Sequence, residues 1–154
     1  MSELPPAVVD VELQALLDQA PLTPMNPQEW MARLDLAAMT DDAFGLVWAR
    51  KARDKGPEDA SVQLLASSLV LNLAQADLAV TEEEQQWAEQ TLFNSIPNES
   101  VDANQRIRAY YSLFFAPNHD EAREFLGRQR DKESDPRARQ TLDQLLQRWD
   151  NKET

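Results

Sequence analysis

The side chains that could do chemistry in this chain are almost all carboxylates. The sequence holds no cysteine, one histidine and three glycines. That removes thiol nucleophiles, disulfides and thiolate zinc sites, and leaves too few glycines for a phosphate-cradling loop. The histidine, His119, lies in Asn118-His119-Asp120-Glu121. An imidazole beside a carboxylate is how a general base is oriented. Its place in the first turn of a helix points instead to an exposed residue next to a cap. No serine or threonine sits in a nucleophile motif. The chain is therefore expected not to be an enzyme and to carry no resident cofactor.

The carboxylates are unevenly spread. From Gly56 to Gln105 there is no Lys, Arg or His, and the interval holds Glu58, Asp59, Asp77, Glu82, Glu83, Glu84, Glu89, Glu99 and Asp102. Residues 1–32 also lack any cation. The basic residues crowd into Arg50–Lys55 and Arg106–Arg148, apart from Arg33 and Lys152. Acids at helix starts and cations at helix ends each contribute about 0.3–1 kcal/mol, which accounts for local clusters. It does not account for so long an interval without a cation. Glu82, Glu83, Glu89, Glu99 and Asp102 are expected to form a carboxylate patch that docks a basic protein partner. Complementarity of this kind raises on-rates and selects partners. An immunity protein, an adaptor or a secretion-type chaperone, all of a bacterial type, would each fit. The net charge of −12 repels phosphate backbones and anionic lipid, so neither nucleic acid nor membrane is expected as a partner.

Tyr110-Tyr111 and Phe114-Phe115 stand one turn after Arg106 and Arg108. Aromatics with cations can make a stacking platform for bases. The simpler expectation places Ile107, Tyr111, Phe114 and Phe115 in the core and Tyr110 at its rim.

One stretch resembles a known family. In Ala76-Asp77-Leu78-Ala79-Val80-Thr81-Glu82-Glu83-Glu84 an Asp ends an apolar helix and a Glu follows seven residues later. This is similar to the signature of TerB-like tellurite-resistance helical domains, over about residues 69–96. Asp77 and Glu84 occupy the family's two acidic places, and Leu69–Ala76 stands for the apolar helix before them. The family's Gly is Leu78 here, and Gly is what permits a tight turn of positive φ between the acids. The resemblance implies an all-helical fold, a divalent cation held by Asp77 and Glu84, and a stress-response role. A carboxylate enzyme using the same two acids would need them in a concave pocket.

These residues must be positioned by helices, because no alternating β pattern of useful length competes. Asn26-Pro27-Gln28-Glu29, Thr40-Asp41-Asp42, Gly56-Pro57-Glu58-Asp59, Thr81–Glu84, Asn118–Glu121 and Asp135-Pro136 read as helix boundaries. Between them run apolar stripes of helical period: Val8, Val11, Leu13, Leu16 and Leu17 first, then Trp30 and Leu34, then Phe44, Val47 and Trp48. The segment Glu58–Asp77 is apolar on most of its circumference, which marks a central helix. Later stripes hold Trp87, Leu92 and Phe93, then Phe125 and Leu126, then Leu142, Leu145 and Trp149. The expectation is an all-α, single-domain bundle of seven or eight helices, with a solenoid of helical hairpins as the other arrangement. Residues 1–6 and 151–154 are expected to be disordered ends around a domain spanning 7–150. Met1–Pro6 carry neither a positive cluster nor an apolar run, so a cytoplasmic address is the default expectation.

Overall fold

The computed structural model describes residues 26–75 and 80–153. The expected first stripe, the 1–6 end, residue 154 and Asp77 lie outside the described residues. Among the described residues there are seven helices and no strand: α1 Pro27–Thr40, α2 Asp42–Lys55, α3 Ala60–Ala74, α4 Glu82–Ser95, α5 Ala103–Leu113, α6 His119–Lys132 and α7 Pro136–Glu153. Helix α7 continues past residue 150, the boundary expected from the sequence.

Local chemistry sets the boundaries. Asn26 accepts the Glu29 N–H at 2.9 Å, with Pro27 at the first helical position. Asp41 is the whole connection between α1 and α2. Its N–H donates to the Ala37 carbonyl and closes α1, while its carboxylate accepts from Ala43 N at 2.7 Å and opens α2. Asp59 caps α3 through Val62 N. Asp135 accepts from Arg137 N and Ala138 N at the start of α7. Each such cap contributes about 1 kcal/mol by satisfying an N–H that the helix leaves unpaired.

Helix α3 is central. Val62, Leu64, Leu65, Leu69, Val70, Leu71 and Leu73 are all buried, and α3 packs against α1, α2, α4 and α5. Each buried leucine contributes roughly 1.5–3 kcal/mol. Beside them Ser61, Ser67 and Ser68 are buried on the same helix. Helix α7 closes the far side against α5 and α6. With partners on four sides, α3 makes this a helical bundle, and every close pairing among the described helices joins elements at most two apart in order, which is also how stacked helical hairpins pack. Among the described residues no helix is long and apolar enough to cross a membrane.

Helices α1 and α2 form a close hairpin, with Trp30 and Trp48 edge to face at 5.8 Å. A side chain at Gly45 would meet the Ala38 Cα at 3.1 Å, so glycine there sets the approach.

The aromatic cluster on α5 departs from expectation. Tyr110 is fully buried, whereas Tyr111 and Phe115 are exposed. The helix faces the core with Ala109, Tyr110, Ser112 and Leu113, while Ile107 and Phe114 are only partly buried against it. A buried polar network fixes it. Arg106 donates through Nε and Nη2 to the two Glu133 oxygens at 2.8 Å each, and the Tyr110 hydroxyl donates to Glu133 Oε1 at 2.6 Å.

Candidate functional site

The first two turns of α4 and the start of α6 face each other across a groove of about 620 Å³. Thr81 and Glu84 form a reciprocal capping box at the entry to α4. Thr81 Oγ1 accepts from Glu84 N at 3.1 Å, and Thr81 N donates to Glu84 Oε1 at 2.9 Å. This fixes the phase of α4. Glu82, Gln86, Glu89 and Gln90, at i, i+4, i+7 and i+8, then share the face that lines the groove.

The opposite wall is Pro117–Glu121. Asn118 caps α6 by accepting from Glu121 N at 3.2 Å, and its Nδ2 donates to Glu121 Oε2 at 2.8 Å. Gln90 of α4 donates to the other Glu121 oxygen at 3.4 Å. Glu89, only 3 % exposed, accepts the Asn118 N–H at 2.9 Å and so ties the two walls together. His119 is exposed and stands edge to face with Trp149 at 6.1 Å.

Four carboxylates, Glu82, Glu89, Asp120 and Glu121, line this groove, and its lining includes no Lys or Arg. Two helix starts stabilise Glu82, Asp120 and Glu121 through the helix dipole. Glu89 sits mid-helix, beyond that help. Burial pushes its carboxyl above the usual range, the Asn118 N–H draws it down, and the charge of Glu121 pushes it up again. A cation placed beside Glu89 would favour its ionised form.

The five carboxylates read as one patch do not form one. Glu82 and Glu89 line the groove. Glu83 pairs with Arg53 of α2 at 3.2 Å, and the Arg53 guanidinium lies 5.1 Å from the Trp87 ring centroid. Glu99 borders a separate recess of about 230 Å³ with Arg106, Lys132 and Glu133. Asp102 is the N-cap of α5, in a capping box with Gln105. The expected cation-free surface is thus interrupted, because arginines distant in sequence fold back onto it.

The cation pair also changes. Asp77 lies outside the described residues. Glu84, expected as the second ligand, has its oxygens on Arg50 Nε at 2.6 Å and Nη2 at 2.9 Å, besides closing the capping box. The Arg50 hydrogen bonds are the main cause that holds its carboxyl down to about 2. The Arg50 guanidinium thus engages both oxygens of Glu84. Among the described residues no three His, Asp or Glu side chains stand close enough to hold one.

Asp120 and Glu121 belong to the groove, whereas the sequence marks them only as helix-start acids. The available signal was the Asn118-x-x-Glu121 cap. What brings it to Glu89 is a contact across 29 residues, which a linear charge map does not contain.

Fold and groove define a class: an all-α bundle with a carboxylate-lined groove between two helix starts. Comparison with protein-family models, curated protein sequences and solved structures finds no match to this chain.

Proposed function

We propose that this chain is a non-enzymatic interaction module whose α4–α6 groove takes basic side chains of a protein partner. Service as an immunity protein, an adaptor or a chaperone would suit such a site. One observation carries the reading: four carboxylates line a single groove without a cation among them. The net charge of −12 adds a field that attracts basic proteins and repels nucleic acid. An incoming Lys or Arg would offset the repulsion between Glu89 and Glu121.

The test is a residue-resolved NMR titration with a lysine- and arginine-rich peptide. Amide shifts should concentrate at residues 82–90 and 118–121. Charge reversal of Glu82→Lys with Glu121→Lys should weaken the complex roughly tenfold, mainly through a slower on-rate. The pair Glu29→Lys with Glu58→Lys changes net charge equally and lies outside the groove, so it should weaken binding much less. Equal losses from the two pairs, or shifts scattered over the surface, would reduce the groove to ordinary solvation.

A further inference from the structure

The two aromatic rings that α5 and its end leave in water stand beside a pocket. Tyr111 is 45 % and Phe115 42 % exposed. Tyr111 lines a recess of about 350 Å³ against α7, completed by Gln144, Leu145, Gln147 and Arg148. Leu145 is buried and supplies an apolar floor, while the two glutamines and Arg148 are exposed at the edge. The Arg148 guanidinium lies 5.2 Å from the Phe114 ring centroid. That ring is itself held, tilted against Trp149 at 4.9 Å and edge to face with Phe115 at 5.8 Å. Contact with a ring consumes no N–H donor. It fixes where the guanidinium stands and leaves its planar fork for a carboxylate.

The charges nearby are sorted. Asp143 and Asp150 of α7 pair with Arg130 and Arg123 of α6. Arg108 of α5 pairs with Asp35 of α1. The pocket lining holds one cation and no carboxylate, on a chain of net charge −12.

We propose that the pocket between α5 and α7 binds an acidic segment of a protein, with a large apolar side chain against Tyr111 and Leu145 and a neighbouring carboxylate on Arg148. A cation without acids around it, on so acidic a molecule, complements an anion. The exposed Phe115 ring lies outside the pocket lining. It offers contact to a chain that continues past its anchoring residue, which a small molecule would not reach. A nucleic-acid strand fits less well. Successive phosphates need a track of cations, and the pocket supplies one arginine. The inference does not rest on the groove between α4 and α6, which selects the opposite charge.

The test is an amide NMR titration of the full chain with a blocked pentapeptide of alternating glutamate and tryptophan. Shifts should concentrate at Tyr111, Phe115 and residues 144–148. Arg148→Gln should weaken binding about tenfold, and Tyr111→Ser about fivefold. Both side chains are exposed, and an unchanged far-ultraviolet circular dichroism spectrum would confirm that each variant folds. Arg139→Gln makes the same charge change on an exposed α7 residue outside the lining, and should leave affinity within about twofold. A peptide with glutamine in place of each glutamate should bind about tenfold more weakly. Absence of shifts at millimolar peptide, or equal losses from Arg139→Gln and Arg148→Gln, would overturn the proposal. So would N-acetyltryptophan binding as tightly as the peptide, which would make this a small-molecule site. Tighter binding of oligothymidine at the same residues would overturn it in favour of a stacking platform for bases.

Discussion

Two carboxylates that do not face the groove carry much of the acid sensitivity of the fold. Glu133 is almost wholly buried. Burial alone would push its carboxyl up, yet hydrogen bonds from Arg106, Tyr110 and the Asp135 N–H hold it below the usual range. Glu84 is drawn down to about 2, chiefly by Arg50. A carboxyl lowered in the folded state stabilises above its ordinary value near 4.5 and loses that contribution as pH falls through the folded value. Glu89, with a raised carboxyl, acts with the opposite sign and gains stability as it protonates. Two against one, stability should fall between about pH 5 and pH 2. Glu84→Gln isolates one contributor, because glutamine keeps the capping box and loses only the ion pair. Arg50 is 39 % exposed, so the loss at pH 7 should be a discounted 1–2 kcal/mol, roughly. Urea titrations across pH should show a flatter acid limb for this variant; an identical limb would remove Glu84 from the account. Glu133→Gln should cost more, about 3 kcal/mol, because it leaves the Arg106 guanidinium, 18 % exposed, without its charge partner.

Helices were legible where their signals are local. Asn26, Asp59, Thr81 and Asn118 cap as the sequence indicates, because a cap involves residues two or three apart. The all-round apolarity of α3 marked it as central for the same reason. Asp102 was legible too, since Asp102-x-x-Gln105 is a capping box, but the cation-free interval drew it into the binding patch instead. The phase of α5 was not legible. Tyr110 and Tyr111 are equally apolar candidates, and the choice between them rests on Glu133, 23 residues away. Pairing of Arg50 with Glu84 spans 34 residues, and a linear charge map cannot show it. At this scale the hairpin of α1 and α2 offers a sharp test. The approach at Gly45 leaves no room for a branched side chain against the Ala38 backbone. Gly45→Leu should destabilise by about 1–3 kcal/mol, despite leucine's better helix propensity. Equilibrium denaturation decides it: a more stable variant would show that the hairpin opens at little cost.

Across the whole molecule the same net charge must act on folding and on association with opposite salt dependence. Twelve negative charges on a sphere of about 19 Å radius, the size expected at this length, repel by about 10 kcal/mol at 10 mM salt and about 5 kcal/mol at 150 mM. The expanded unfolded chain loses only about 1 kcal/mol over that change, because its charges are already far apart. Exposed pairs such as Arg53–Glu83, Arg108–Asp35 and Arg128–Glu124 weaken with salt, each by a fraction of a kcal/mol. Relief of self-repulsion therefore outweighs loss of surface pairs, by about 2 kcal/mol. Between 10 and 150 mM sodium chloride at pH 7 the melting temperature should rise by about 4–8 °C. Near the isoelectric point of about 4.4 the rise should vanish. Association with a basic peptide should slow over the same salt range, since screening removes the field that steers it. A melting temperature that falls with salt at pH 7 would mean that arginines folded onto the surface already cancel the field. The groove would then have to recognise its partner by contact alone, without steering.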